Sequence, residues 1–139
     1  MAAGYSGTPL INKLGLKDQM KILLINPPSN YFSLLESDLS RQTIKVKEIP
    51  DWIHLFAPSE KEFISKMQSI KKYQQANPSI VIWVSWYKKS AGIATDLNEN
   101  IIRDYALKNE LVDIKVCAVS DLWSGLKLVV PVAKRSLKK

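Results

Sequence analysis

The feature that most constrains the fold is an apolar run, Ile80 to Trp86, whose one polar member is Ser85. Its length suits a strand that is buried on both faces of a sheet. It falls far short of the ~20 apolar residues that cross a bilayer, and no other run in the chain is longer. We therefore predict a central β-strand here, in a soluble protein without a membrane-spanning segment.

Helical patterns lie on both sides of this run. Before it, Ser59 and Glu62 form a capping-box signature, and the helix that they start is predicted to end at Asn77-Pro78. After it, Asp96 and Glu99 form a similar box-like start for a second helix. Each helix is predicted to bury one face, because apolar residues recur at helical spacing. These residues are Phe63, Ile64, Met67 and Ile70 in the first helix and Ile101, Ile102, Tyr105 and Ala106 in the second.

The N-terminal part of the chain contains three further elements. Ile22 to Ile25 is a short apolar run, which predicts a second buried strand that ends at Asn26-Pro27-Pro28. Ahead of it, we predict a short helix that Thr8-Pro9 opens and Gly15 closes. A helix over about Ser29 to Leu39 follows the proline pair, because its apolar residues form one stripe.

Four more segments have the pattern of strands. Thr43 to Ile49 alternates between apolar and polar residues, which predicts a half-exposed strand. Asp51 to Phe56 is a second candidate. Val112 to Val119 and Trp123 to Val130 are joined across Ser120-Asp121, a connection so short that the two strands must form an antiparallel hairpin.

The predicted elements alternate as helix, strand, helix, strand, strand, helix, strand, helix and a closing hairpin. This order predicts a three-layer α/β fold with a mostly parallel sheet that ends in an antiparallel hairpin. It resembles the Rossmann-like fold of the class I methyltransferases, shortened by roughly one strand–helix unit. With 139 residues, 46% of them apolar, the chain is predicted to be a single domain, with a flexible basic tail over about residues 133–139.

The turn after the first predicted strand argues against the cofactors that are usual in such folds. Methyltransferases of this class and dinucleotide-binding folds need a glycine-rich turn there, because the backbone must approach the cofactor closely. Here the turn is Asn26-Pro27-Pro28, whose two proline rings stiffen the chain and remove N–H donors. We predict that neither S-adenosylmethionine nor NAD binds at this position, and we assign no cofactor.

Side chains suited to catalysis or metal binding are scarce. His54, the one histidine, alternates with apolar neighbours, and Cys117 lies in an apolar strand, so we expect a structural imidazole and an inert core thiol. No spacing of metal ligands is present. We therefore assign no catalytic residue and no metal, and favour a protein that is not an enzyme. A single cysteine fits the reducing cytoplasm, and the N-terminus lacks the pattern of a signal peptide.

One loop combines groups that could hold an anion. It follows the central strand and brings two cations and two hydroxyls to the start of the next helix. Ligands of parallel α/β sheets bind beyond the carboxyl ends of the strands, and such groups attract carboxylate or phosphate. In the alternative interpretation, the lysines are solvated and the last two loop residues cap the helix. The candidate ligand-binding residues are Lys88, Lys89, Ser90, Thr95, Asp96 and, at the end of the first strand, Asn26.

Several longer motifs resemble those of one bacterial family. They are Gly4-Tyr5-Ser6-Gly7-Thr8-Pro9-Leu10, Ser90-Ala91-Gly92-Ile93-Ala94-Thr95-Asp96-Leu97, Val112-Asp113-Ile114-Lys115-Val116-Cys117-Ala118-Val119 and Trp123-Ser124-Gly125-Leu126-Lys127-Leu128-Val129. With Leu14-Gly15 and Asn26-Pro27-Pro28 between these motifs, nearly the whole chain is similar to the family catalogued as domain of unknown function 3052. It departs from the family near Tyr87, where members tend to carry proline, and near Glu110, where they tend to carry glycine. The resemblance implies a bacterial, cytoplasmic protein and brings no activity, cofactor or catalytic residue.

The sequence leaves three functions open. The preferred one is a non-catalytic binding or regulatory module on a methyltransferase-like scaffold that has lost its cofactor loop. The first alternative is an enzyme that acts on a small carboxylate or phosphate substrate at the carboxyl ends of the strands. The second is binding of nucleic acid or an acidic protein partner through the basic surface, since the net charge is +7. That charge is scattered along the chain, which disfavours a nucleic-acid interface. No pattern indicates an oligomeric state.

Overall fold

The computed structural model describes residues 9–45 and 47–135, with side chains through residue 133. Five strands form one sheet in the order β1-β2-β3-β5-β4. Strands β1, β2 and β3 run parallel, β5 runs antiparallel to β3, and β4 runs antiparallel to β5. The mostly parallel sheet and the closing hairpin are therefore as predicted. The strands are β1 (Ile22–Ile25), β2 (Trp52–Phe56), β3 (Val81–Tyr87), β4 (Val112–Ala118) and β5 (Trp123–Val129).

Helices cover both faces of the sheet. The first face, here called the α3–α4 face, carries the two long helices and an almost wholly apolar core. The second, the α1–α2 face, carries two short helices over a core rich in aromatic rings. Since the central strands are covered on both sides, their side chains are buried in both directions, which explains their continuous apolar runs. The helices are α1 (Leu10–Lys13), α2 (Tyr31–Leu35), α3 (Glu60–Ala76), α4 (Glu99–Lys108) and α5 (Val132–Arg135).

Helix α3 forms where the capping-box signature places it. The Ser59 hydroxyl oxygen accepts a hydrogen bond of 3.2 Å from the Glu62 N–H, which satisfies one of the free donors at the start of the helix. Phe63, Met67 and Ile70 are buried against the sheet, and the helix ends ahead of Asn77. The predicted start, apolar stripe and end of this helix are confirmed.

Helix α4 begins differently from the prediction. Its capping residue is Asn98, whose side chain accepts from the Ile101 N–H at 3.0 Å, so the box-like start at Asp96 and Glu99 is wrong. The Asp96 carboxylate instead accepts from the Glu60 N–H, at the start of α3. The Thr95 hydroxyl donates to the carbonyl of Pro58 at 2.8 Å. These two side chains therefore tie the loop before α4 to the loop before α3.

The connection between β1 and β2 is less regular than predicted. Helix α2 is shorter than the predicted helix from Ser29 to Leu39, because Glu36 takes a left-handed conformation, at φ 56°, and ends it. The predicted strand from Thr43 to Ile49 is reduced to one parallel bridge, between Thr43 and Ile22 at the edge of β1. Val46 within that prediction lies outside the described residues.

Both ends of the chain are described only in part. The proposed capping residue of α1, Thr8, lies outside the described residues, as do residues 136–139 of the predicted flexible tail. Where the tail is described, α5 covers the position predicted to be frayed. At the end of α1, Gly15 has a φ of +71°, which agrees with its predicted role in closing this helix. Among the described residues, no helix has the length and apolar character needed to cross a membrane.

Candidate functional site

A cleft of about 590 Å³ lies at the carboxyl edge of the sheet, between the end of β3 and the start of α4. We call it the β3–α4 cleft. This is the edge at which ligands bind in parallel α/β sheets, beyond the ends of the strands. The cleft is lined by Trp86, Lys88, Lys89, Ser90, Asn98, Glu99, Asn100 and Ser124.

The wall formed by the β3 end is held in place by backbone contacts. The Lys88 N–H donates to the carbonyl of Leu122 at 2.9 Å, which fastens the loop to the segment that leads into β5. A 3₁₀ turn, Lys89–Ala91, follows and ends at Gly92, whose φ of 71° favours glycine. Ser124 joins this wall because β5 pairs with β3 so that Ser124 lies opposite Trp86. The sheet register thus positions Trp86 and Ser124, and the loop after β3 positions Lys88 and Lys89.

The wall formed by α4 carries a carboxylate. Glu99 forms an ion pair with Arg103, one turn further along the helix, and Arg103 also donates to the Asp113 carboxylate on β4 at 3.0 Å. These contacts, the one with Asp113 foremost, raise the pKa of the Arg103 guanidinium above its usual value. Within the described part of the chain, no salt bridge involves Lys88 or Lys89. The cleft is therefore lined on one wall by two lysines that form no salt bridge with any described residue, and on the other by an acidic residue.

The structure brings most, but not all, of the predicted ligand residues together. Lys88, Lys89 and Ser90 share the β3–α4 cleft. Thr95 and Asp96 line a neighbouring hollow of about 390 Å³ that Lys88 and Lys89 also border. Both residues use a side-chain oxygen to hold the two loops together, as described above, so their predicted role as caps of α4 is wrong.

Asn26, the last predicted ligand residue, lies apart from the others. It follows β1 with a φ of 56°, and β2 separates β1 from β3 in the sheet. Asn26 lines neither the cleft nor the neighbouring hollow. A single ligand in the β3–α4 cleft would therefore be held without it.

His54 is fully buried and bridges two hydroxyls. Its Nδ1 lies 2.7 Å from the Tyr31 hydroxyl oxygen, and its Nε2 lies 2.7 Å from Oγ of Ser85. A neutral imidazole satisfies both contacts, since one hydroxyl donates to the bare ring nitrogen and the other accepts from the ring N–H. Burial disfavours the charged ring and lowers the pKa of His54 from 6.5 to about 3. The arrangement agrees with the structural role predicted for this residue.

The remaining reactive side chain is also unsuited to chemistry. Cys117 is partly buried on β4, and that burial raises the pKa of its thiol, so the nucleophilic thiolate is disfavoured. Among the described residues, no group of three or more His, Cys, Asp or Glu side chains is arranged to hold a metal ion.

Sequence reasoning missed several residues of the cleft. The sequence prediction gives the capping position of α4 to Asp96 and therefore misses Asn98. An Asn three residues before an apolar position is nevertheless itself a capping signal. The sequence pattern of Glu99 is that of a capping box, and that of Asn100 is an ordinary polar position in a helix. Ser124 had no local signal, because only the pairing of β5 with β3 brings it to this edge.

The sheet and its helices define a Rossmann-like α/β fold. Neither a family model nor a curated protein matches the sequence. Several solved structures resemble it, including the following two. An uncharacterized protein from Listeria monocytogenes serotype 4b has a TM-score of 0.55 at 9% identity, over 90% of this chain and 68% of that chain. A protein of the NADB-Rossmann superfamily from Streptococcus agalactiae has a TM-score of 0.51 at 6% identity, over 92% of this chain and 70% of that one. At such identities the likeness shows the fold alone.

Proposed function

We propose that this protein is a non-catalytic binding module that holds a small anion, a carboxylate or a phosphate, in the β3–α4 cleft. The observation that carries the proposal is the convergence of Lys88, Lys89 and Ser90 on one cleft at the carboxyl edge of the sheet. The two lysine ammonium groups form no salt bridge with the residues that the structure describes, so they can attract an anion, and a hydroxyl can complete its hydrogen bonding.

The scaffold that we propose is that of a class I methyltransferase without its cofactor loop. The insertion of the antiparallel β5 between β3 and β4 supports it, because the sheet then ends in the hairpin that suggested this resemblance. The end of β1 supports the loss of the loop: Asn26-Pro27-Pro28 stands where a donor-rich glycine turn would hold the cofactor. On the family resemblance, we also propose a bacterial protein of the cytoplasm.

We propose that the protein is not an enzyme because the groups best suited to catalysis are already bound to other side chains. His54 has both ring nitrogens engaged in the core and a pKa of about 3, so it has no free nitrogen with which to move a proton in the cleft. Glu99, the carboxylate of the cleft, is paired with Arg103. The proposal thus treats the cleft as a place that binds a ligand and leaves it unchanged.

Titration of the whole protein with inorganic phosphate and with acetate, followed by backbone amide shifts in NMR spectra, tests this proposal. We expect saturable shifts concentrated at residues 88–90, 98–100 and 124. In the double variant Lys88→Ala and Lys89→Ala, the affinity for the anion should fall about tenfold or more, since charge-assisted hydrogen bonds are lost. A difference between phosphate and acetate identifies the anion class.

The matched control is the double variant Lys17→Ala and Lys21→Ala. It removes the same charge from exposed positions ahead of β1, at the opposite edge of the sheet. Its affinity should equal that of the unmodified protein at constant ionic strength. Equal losses in both variants would mean diffuse attraction to a basic surface and would overturn the proposal. Calorimetric binding of S-adenosylmethionine at micromolar concentration would contradict the loss of the cofactor site.

A further inference from the structure

The charged residues of the β3–α4 cleft lie on its two walls. Lys88 and Lys89 belong to the loop after β3, whereas Glu99 belongs to the first turn of α4. All three residues line the same cleft, yet no salt bridge joins either lysine to Glu99. Residues of opposite charge therefore line one cleft without pairing with each other.

Glu99 keeps part of its charge for a ligand. Its partner, Arg103, is shared with Asp113, so one guanidinium serves two carboxylates. Arg103 contacts Oε2 of Glu99, and Oε1 has no hydrogen-bond partner among the residues that the structure describes. A carboxylate oxygen that is free and only partly neutralised attracts an ammonium group.

We infer that the ligand of the cleft is a zwitterion of the α-amino acid type, with its carboxylate at Lys88 and Lys89 and its ammonium group at Glu99. The inference rests on the proposed anion site and adds the second charge. A simple anion would leave Glu99 repelling it from the facing wall, whereas a zwitterion satisfies both walls at once. Asn98, Asn100, Ser90 and Ser124 line the remaining surface. The side-chain oxygens of the two asparagines already accept hydrogen bonds, so their amide N–H groups and the two serine hydroxyls are the groups that can bind a ligand.

Calorimetric titration with each of the common L-α-amino acids, at neutral pH and constant ionic strength, tests the inference. The amino acid that binds best is then compared with its N-acetyl derivative, which lacks the ammonium charge, and with the amine that lacks the carboxylate. We expect each of the two derivatives to bind about tenfold more weakly or worse, because each loses one charge-assisted contact.

A variant assigns the ammonium contact to Glu99. Glu99→Gln keeps a side-chain oxygen for Arg103 and removes the charge, so it should weaken the binding of the amino acid about tenfold. The N-acetyl derivative, which is an anion, should bind to this variant at least as tightly as to the unmodified protein, because the repulsion by Glu99 is gone. Asp104→Asn is the matched control. It makes the same charge change on the same helix, at an exposed residue outside the lining of the cleft, and should leave both affinities unchanged.

Each outcome bears on one claim or on both. If the N-acetyl derivative binds as tightly as the parent, or if phosphate binds and no amino acid does, the zwitterion is contradicted and the anion site stands. If neither phosphate, acetate nor any amino acid binds, both proposals fail. Equal effects of Glu99→Gln and Asp104→Asn would contradict the contact assigned to Glu99.

Discussion

The two faces of the sheet are stabilised in different ways. On the α3–α4 face, two long helices bury aliphatic side chains, and the core depends mainly on packed volume. On the α1–α2 face, helices of four and five residues lie over aromatic rings that also make hydrogen bonds. The indole N–H groups of Trp52 and Trp83 both donate to the carbonyl of Leu14, at 3.0 and 2.9 Å.

Hydrogen bonds in the core hold the two short helices of the α1–α2 face against the sheet. Four or five residues bury little apolar surface and are too few for a helix that is stable by itself. On the α1–α2 face, buried hydrogen bonds therefore supply part of the stabilisation that apolar packing supplies on the other face. The carbonyl of Leu14, just after α1, accepts hydrogen bonds from both indole N–H groups. At the start of α2, the Tyr31 hydroxyl is hydrogen-bonded to His54, which is in turn hydrogen-bonded to Ser85. This face should therefore be sensitive to polar changes that the other face tolerates.

The largest expected effect is the dependence of stability on pH that His54 imposes on the α1–α2 face. The folded pKa of about 3 lies below the value of 6.5, so the unfolded chain binds the extra proton as the pH falls. The stability that the buried, neutral His54 allows is fully present above pH 6.5. It is lost as the pH falls toward 3, at ~1.4 kcal/mol per pH unit, or about 4–5 kcal/mol in all. Urea unfolding followed by tryptophan fluorescence at several pH values measures it.

The variant His54→Gln separates this effect from the titration of surface carboxylates. It can keep a donor and an acceptor near the two hydroxyls but does not titrate, so its stability should be lower at pH 7 and fall less steeply between pH 6.5 and pH 3. If the unmodified protein and His54→Gln lose stability with the same slope between pH 6.5 and pH 3, His54 does not cause the pH dependence assigned to the α1–α2 face.

The next effect compares one tyrosine on each face. Tyr31→Phe removes the hydroxyl that contacts His54 in the core, and we expect the free energy of unfolding to fall by ~1–3 kcal/mol because a buried ring nitrogen loses its partner. Tyr105→Phe is the control on the α3–α4 face. The Tyr105 ring packs edge-on against Phe63, and no hydrogen bond of its hydroxyl is found among the described residues, so its loss should change the free energy by less than ~0.5 kcal/mol. Equal urea midpoints for the two variants would contradict the proposed difference between the faces.

The smallest effect concerns how the helices begin. Ser59→Ala removes the hydroxyl that caps α3 and should lower the free energy of unfolding by ~1 kcal/mol. Asn30, at the equivalent position of α2, makes no capping hydrogen bond through its side chain, so Asn30→Ala should leave the free energy nearly unchanged. Thermal unfolding of the two variants, side by side, measures both values. A loss on Asn30→Ala as large as that on Ser59→Ala would show that α2 depends on its start after all.

The same division explains what could be predicted from the sequence. Helix α3, strand β3 and the closing hairpin have strong local patterns, and the structure confirms them. The segment between β1 and β2 does not follow its pattern. The left-handed turn at Glu36 ends α2 early, and the alternation after Thr43 yields a single bridge at the edge of β1. In this segment the conformation depends on tertiary contacts, which the spacing of residues along the chain does not predict.

The candidate site shows the same limit. Lys88, Lys89 and Ser90 could be found because they directly follow a strand whose position was clear. Ser124 could not, since it reaches the cleft through pairing between strands that are distant in sequence. Asp96 was assigned to the wrong helix, because a carboxylate at a helix start and one that crosses to a neighbouring helix have the same local sequence pattern.

The place of β5 in the sheet also constrains how the molecule is assembled during synthesis. This strand is the last of the five to leave the ribosome, yet it lies between β3 and β4 and is the strand to which β4 is hydrogen-bonded. During translation, one edge of β3 therefore stays unpaired until β5 has been synthesised. Strand β4 likewise emerges before its pairing partner β5. Completion of the sheet is thus a late event, and until then the nascent chain exposes edges that are prone to wrong pairing.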